Sequence, residues 1–197
     1  MTLTLQDSKP EEKLLRLFAA IKVPFEVSNR LNNAAGLIFN NRSIIKIIPA
    51  ENIHLTIKFL GNIEVDNIGS IENALNTAAR KTSKFSFNIK ENIGAFPSFT
   101  CAKIIFAYVG AGYNNIKNLF DLVEGNLEKI GIGKESNKYK GHITLARAKE
   151  GIDIGDYPYN NALIELKNIN CSTLTLFESV LGKTGPKYSI RKEFEFK

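Results

Sequence analysis

Apolar residues recur along this chain with two periods. Alternating or β-branched runs predict strands, and spacings of three and four predict helices. Leu14 to Ile21 reads as a strand, and Pro24 opens the next segment. Apolar positions 25, 27, 31, 34, 35 and 38 mark one face of a helix over Phe25–Phe39, with a stop near Asn40-Asn41. Ile44 to Ile48 is a short strand cut by Pro49, and His54 to Leu60 is a second that Gly61-Asn62 is expected to end. Ile68, Ile71, Leu75 and Ala78 carry a second helix. Phe85, Phe87 and Ile89 alternate as a strand does, and Lys103 to Val109 follows as another. Ile116, Leu119, Phe120, Val123, Leu127 and Ile130 form the clearest amphipathic helix, with Gly131 as its stop. His142–Ala146, Leu163–Ile169, Leu174–Leu181 and Tyr188–Phe196 complete the strands.

Strands outnumber helices by about three to one without strict alternation, which predicts an α+β fold with a largely antiparallel sheet. No linker rich in Pro, Gly or Ser divides the chain. Residues 1–12 read as a polar leader and 13–197 as a single body. Across 197 residues, 44% hydrophobic and 23% charged is a globular balance, which excludes a mainly disordered or collagen-like chain. The net charge of +6 leans moderately toward anionic partners. Cys101 and Cys171 form no C-x-x-C pair and read as buried thiols of a reducing compartment, so a cytoplasmic location is expected. No apolar run approaches the roughly 18 residues of a bilayer span, and the start of the chain lacks the apolar core of a secretory signal. Two histidines and two cysteines are too few for a zinc cluster, so no metal or cofactor is expected.

Both histidines stand in one local pattern, Ile53-His54-Leu55-Thr56-Ile57 and Gly141-His142-Ile143-Thr144-Leu145. Residues i and i+2 of a strand share a face. His54 therefore points with Thr56, and His142 with Thr144, while Leu55, Ile57, Ile143 and Leu145 face a core. Two such strands side by side bring two imidazoles and two hydroxyls to one small volume. That volume suits phosphoryl transfer. One neutral ring takes a proton from the nucleophile, one protonated ring gives a proton to the leaving oxygen, and threonine hydroxyls donate to phosphoryl oxygens. An isolated H-x-T is weak, but two copies using every histidine in the chain are not. Residue identity alone leaves open which ring is acid and which base.

The chain resembles the 2H phosphoesterases, which are defined by two H-x-T motifs. Within them it is similar to the RNA 2′,3′-cyclic phosphodiesterases, also called 2′-5′ RNA ligases. The resemblance runs from about Leu15 to the C-terminus. It is carried by Arg16-Leu17-Phe18-Ala19-Ala20-Ile21, by Pro49-Ala50-Glu51-Asn52-Ile53-His54-Leu55-Thr56-Ile57-Lys58-Phe59-Leu60-Gly61, and by Gly141-His142-Ile143-Thr144-Leu145-Ala146-Arg147. Leu176-Phe177-Glu178-Ser179 and Gly185-Pro186-Lys187-Tyr188 add its last hairpin. It implies two pseudo-symmetric lobes of antiparallel sheet around a central cleft, with helices on the outer faces. It also implies cofactor-free opening of RNA 2′,3′-cyclic phosphate ends to 2′-phosphates, tRNA fragments being one source of such ends, by a monomer. The reverse-type reaction, 2′-5′ ligation, is implied as well. The neighbouring readings are a phosphodiesterase for small cyclic phosphates or 2′-5′ oligoadenylates, and an RNA-end-binding protein without turnover.

Carried over by position, the resemblance makes His54 the proton donor and His142 the proton acceptor. Thr56 and Thr144 would hold phosphoryl oxygens, Arg147 would neutralise phosphate charge, and Phe59 would stack on the terminal base. Arg147 and Phe59 lie at odd offsets from their histidines, so a bulge or strand end must turn them toward the cleft. Gly141 stands where the family often has proline, and the stretch before Leu15 is longer than the family's usual start. Lys138, Lys140, Arg147 and Lys149, with Lys183, Lys187, Arg191 and Lys192, are candidates for an RNA-facing rim. Tyr139 and Tyr188 are candidate stacking groups, though each reads better as a strand-filling residue. Gly182-Lys183-Thr184 lacks the upstream glycine of a P-loop and fits a hairpin turn, and Gly110-Ala111-Gly112 fits a loop leading into a helix.

Overall fold

A computed structural model describes residues 14–39, 43–155, 165–183 and 185–197. Among them the chain runs β1 (Leu14–Lys22), α1 (Phe25–Phe39), β2 (Ile45–Ile47), β3 (His54–Glu64), α2 (Ile68–Arg80), β4 (Phe85–Phe96), β5 (Ala102–Val109), α3 (Tyr113–Glu128), β6 (His142–Ile152), β7 (Leu166–Cys171), β8 (Thr173–Gly182) and β9 (Gly185–Glu195). The leader and the predicted helix stop at Asn40-Asn41 lie outside the described residues, as do Leu163 and Ile164 of the predicted seventh strand.

The strands form a sheet in the order β7-β4-β5-β6-β3-β1-β8-β9, with β2 on β6, and every pairing is antiparallel. One junction is thin. β3 and β6 share a single paired position, Leu55 opposite Ile143. The sheet is thus two halves, β3-β1-β8-β9 and β6-β5-β4-β7, whose inner edges are the two motif strands. This is the α+β, mainly antiparallel architecture expected from the periodicity. Helices α2 and α3 pack on each other, α2 also on β8 and β9 and α3 on β3, while α1 lies against β2 and β6.

Each helix buries one stripe: Leu31, Ala35 and Ile38 on α1, Ile71, Leu75 and Ala78 on α2, and Ile116, Leu119, Val123 and Leu127 on α3. Gly112 opens α3 with φ of 84°. A Cβ there would collide with the Ser86 carbonyl oxygen, so glycine is what lets the turn pass β4.

Gly61-Asn62 does not end the third strand, which continues to Glu64. Gly61 pairs with Leu17 and Phe59 with Phe18, leaving Leu60 as an extra residue. Gly61, at φ of 77°, absorbs that irregularity. The glycine marks a bulge in a continuing strand rather than a terminus.

Candidate active site

The two motif strands carry the same distortion. Along β3, Thr56 lies opposite Ala20 but Lys58 opposite Ala19, so Ile57 is unpaired. Along β6, Thr144 lies opposite Phe106 but Ala146 opposite Ile105, so Leu145 is unpaired. One extra residue shifts the alternation by one. Ile57 and Lys58 are therefore both buried, as are Leu145 and Ala146, and the next residue returns to the histidine face. Bulges thus bring Phe59 and Arg147 onto the face of His54, Thr56, His142 and Thr144.

All six residues line one cavity of about 460 Å³ between the sheet halves. Extending the Leu55–Ile143 register sets His54 level with Thr144 and His142 level with Thr56. Each imidazole is therefore beside the threonine of the other motif.

Both rings are fixed alike. His54 Nδ1 lies 2.7 Å from the Asn52 carbonyl, and His142 Nδ1 lies 2.7 Å from the Lys140 carbonyl. A carbonyl only accepts, so each Nδ1 carries the hydrogen and each Nε2 is left as the proton-transfer atom. Aromatic rings hold the imidazoles in place. His54 packs against Phe18 at 4.9 Å and edge-on to Tyr188 at 5.3 Å. His142 packs against Phe96 at 5.2 Å and Phe106 at 5.1 Å.

Burial lowers both histidines. Desolvation pulls His54 down to about 4, and the charges of Arg147 and His142 add to this against the raising effect of the Asn52 carbonyl. His142 is lowered by desolvation first and by Arg147 next, opposed by the Lys140 carbonyl. Both rings are consequently neutral in the empty cleft at pH 7. An anion between them favours the protonated form of one ring and thereby creates the acid–base pair.

The cavity also contains residues the sequence did not single out. Arg16 lies on it with Phe18, two residues further along β1 and therefore on the same face. That spacing was the available signal, and it supplies a second guanidinium beside Arg147. Tyr188 lies in β9 and packs edge-on to Phe18, and it also lines the cavity and touches His54. Ser179 and Pro186, from the β8–β9 hairpin, close one side, and Asn52 Nδ2 donates to the Pro186 carbonyl at 3.1 Å.

A second cavity of about 560 Å³ opens on the other side of His142, sharing Thr56 and Phe59 with the first. Phe96, Lys138, Tyr139 and Lys140 line it. The expected basic rim is therefore divided. Arg147 faces the first cavity, whereas Lys138 and Lys140 face the second. Arg191 pairs with Glu178 at 3.3 Å and Lys192 with Glu72 at 2.6 Å on the far edge of the sheet. Tyr139 lies in the irregular stretch before β6 and not in a strand, stacked on Phe120 with centroids 4.2 Å apart.

Behind the cleft lies a buried ion pair. Lys58, 4% exposed, meets Glu124 of α3, 6% exposed, at 2.7 Å and donates to the Gly133 carbonyl at 2.8 Å. Among the described residues no group of three or more His, Cys, Asp or Glu could hold a metal ion, and no helix is long and apolar enough to cross a membrane.

Comparison with known proteins agrees with this geometry. The family LigT like Phosphoesterase matches residues 21–105. The RNA 2′,3′-cyclic phosphodiesterase of Methanocaldococcus jannaschii is 27% identical over 195 residues, covering 91% of this chain and all of that protein. That of Aquifex aeolicus is 27% identical over 189 residues, covering 92% and 97%. Among solved structures, TT0787 of Thermus thermophilus superposes with a TM-score of 0.77 at 23% identity, covering 92% of this chain and 98% of that one. E. coli LigT complexed with 3′-AMP superposes with a TM-score of 0.75 at 19% identity, covering 94% and 99%. Two histidine strands folded into one cleft, together with these matches, make the chain similar to the LigT-like phosphoesterases, by the family model over residues 21–105 and in fold over most of its length.

Proposed function

We propose that this enzyme hydrolyses RNA 2′,3′-cyclic phosphate ends to 2′-phosphates, with residues 13–197 acting as one bilobal unit. The observation that carries this reading is the pair of imidazoles, each held through Nδ1 by a carbonyl two residues before it, in one cavity with two threonines and an arginine.

The cyclic phosphate lies between the rings, its charge met by Arg147 and its oxygens by Thr56 and Thr144. His142 Nε2 takes a proton from water as the water oxygen attacks phosphorus. The bond from phosphorus to O3′ breaks on the opposite side, and His54 Nε2 protonates the departing oxygen. Attack and departure are in line, which is why a base on one side and a separate acid on the other suit the reaction better than a single group. Phe59 offers a face for the terminal base. The names of the relatives support the substrate class, since they are RNA 2′,3′-cyclic phosphodiesterases from several organisms.

The second cavity favours a second reaction at the same centre. The nucleophile enters on the side of His142, and water alone needs no cavity of about 560 Å³ with aromatic and lysine walls there. A 5′-hydroxyl from another RNA end fits that space and would give a 2′-5′ linkage.

An RNA oligonucleotide ending in 2′,3′-cyclic phosphate, with EDTA present, tests the hydrolytic reading. Wild type should yield a 2′-phosphate, and His54→Ala and His142→Ala should not. Intact substrate with folded wild type would sink it. Adding a 5′-hydroxyl oligonucleotide and scoring joined product tests the second reaction.

A further inference from the structure

Two imidazoles act on one phosphorus only if their separation is held, yet β3 and β6 share a single paired position. The stretch from Ile132 to Gly141, which delivers His142, has no regular structure. It is nevertheless fastened along its length. Lys58 Nζ holds the Gly133 carbonyl at 2.8 Å, and the Glu135 amide donates to Glu124 Oε2 at 2.8 Å. The last fastening is at Tyr139. Its ring stacks on Phe120, its carbonyl accepts from the Tyr113 hydroxyl at 3.1 Å, and its own hydroxyl donates to the Thr56 carbonyl at 2.9 Å. Thr56 belongs to the first motif. Lys140, the residue after Tyr139, supplies the carbonyl that fixes His142.

We propose that Tyr139 is a positioning residue: its hydroxyl on the Thr56 carbonyl ties the second motif to the first and, through Lys140, sets the orientation and tautomer of His142. The bond crosses the cleft beside its thin junction, so it bears on the relation between the motifs more than on either strand alone. Burial raises the tyrosine's pKa, so the hydroxyl stays a donor over the working pH range. His54 has no matching dependence. Its carbonyl partner, Asn52, sits in a 3-10 turn after Pro49 and is braced by Pro186.

Tyr139→Phe removes one oxygen and keeps the ring stack. The chain has two histidines, so the nitrogen-15 spectrum of its side chains contains two rings and assignment is direct. In Tyr139→Phe, His142 should pass from the Nδ1-protonated tautomer to a mixture, while His54 keeps its signals. The kinetic arm rests on the proposed hydrolysis. There kcat should fall about tenfold with KM held within about twofold, the pattern of a group misplaced in the transition state. Tyr113→Phe, which frees the same residue from its other side, should move both readouts the same way by less. If Tyr139→Phe does not fold, Tyr113→Phe decides the question alone. Unchanged His142 signals in a folded variant, or equal shifts in both histidines, would overturn the proposal. Loss of stability with an unchanged His142 would mark Tyr139 as merely structural. Wild type inactive on cyclic phosphate would sink the hydrolytic reading and leave the spectroscopic test standing.

Discussion

The two motif strands are alike for four residues and then diverge. His54-Leu55-Thr56-Ile57 and His142-Ile143-Thr144-Leu145 share side-chain pattern, burial and a bulge at the fourth residue. At the fifth position Lys58 stands against Ala146, both buried. At the sixth, Phe59 stands against Arg147, both on the cleft. The histidine–threonine frame is duplicated, and the residues after it differ. A duplicated frame serves in-line chemistry, which asks the same thing of both poles of phosphorus. Binding asks different things of the two sides, an aromatic face for a base and a guanidinium for a phosphate. In the proposed mechanism, duplication accounts for the acid and base, and divergence accounts for the polarity of the site.

The harshest test of the duplicated frame is to remove either half. His54→Ala and His142→Ala should each lower kcat about 10³–10⁴-fold with the fold intact. The double variant should be little worse than either single one, because the two rings act as a unit. Multiplicative losses in the double variant would mean that the rings act in separate steps. Steady-state kinetics on a cyclic-phosphate end, with circular dichroism as the folding control, reads all three.

The fifth position separates the motifs by stability. Lys58→Met leaves Glu124 charged and buried without its partner, which costs about 3–5 kcal/mol. Lys58→Met with Glu124→Leu should recover most of that loss, since Ala146 shows that the bulge itself needs no ion pair. Urea unfolding midpoints check both. A double variant as unstable as the single one would show that the backbone bonds of the pair, Lys58 to the Gly133 carbonyl and Glu124 to the Glu135 amide, rather than the ion pair itself, support the fold.

The contrast also explains what could be read from the chain beforehand. Period-two and helical spacings located the three helices and nine strands found among the described residues, because one face of each element is apolar. Strand alternation put each histidine with its threonine, and the odd offsets of Phe59 and Arg147 asked for a bulge or a strand end, of which the structure has the bulge. The glycine at position 61 misled because the same φ freedom serves a turn and a bulge, and only pairing with β1 separates them. Nothing near Lys58 in sequence points to its acid, Glu124, which comes from a helix distant in sequence. Tyr139 and Tyr188 looked like strand filling for a related reason. Their partners, Thr56 and His54, are brought to them by the fold.

The pH dependence of folding compares the two histidines directly. His54 takes up a proton at about 4 in the folded protein and at 6.5 when unfolded. Between those values the unfolded chain holds the extra proton, so stability rises with pH. The contribution is complete above pH 6.5 and is lost as pH falls toward 4, about 3 kcal/mol in all. His142 acts in the same direction. His54→Gln should flatten the unfolding midpoint over this window more than His142→Gln does. Equal flattening would mean that the two rings are equally desolvated.

The sixth position gives the smallest and most specific contrast. Burial is the main cause that lowers both histidines, and the charge of Arg147 lowers both further, so Arg147→Met should raise both pKa values part of the way. The ascending limb of kcat/KM then moves to higher pH, and its plateau falls about a hundredfold as a charge-assisted contact to phosphate is lost. Phe59 carries no charge and should leave that limb where it is. Its ring is 58% exposed and lies 6.1 Å from Phe18 across the β1–β3 pair, so one face is free for a base. Stacking of one base is worth about 1–3 kcal/mol, so Phe59→Ala should raise KM about tenfold with kcat unchanged. Phe59→Tyr, which keeps the face, should restore KM. A substrate with the base removed should be indifferent to both changes. If instead Phe59→Ala lowers kcat and spares KM, the ring is holding the β3 bulge and Thr56 in place, and the base lies elsewhere in the cleft.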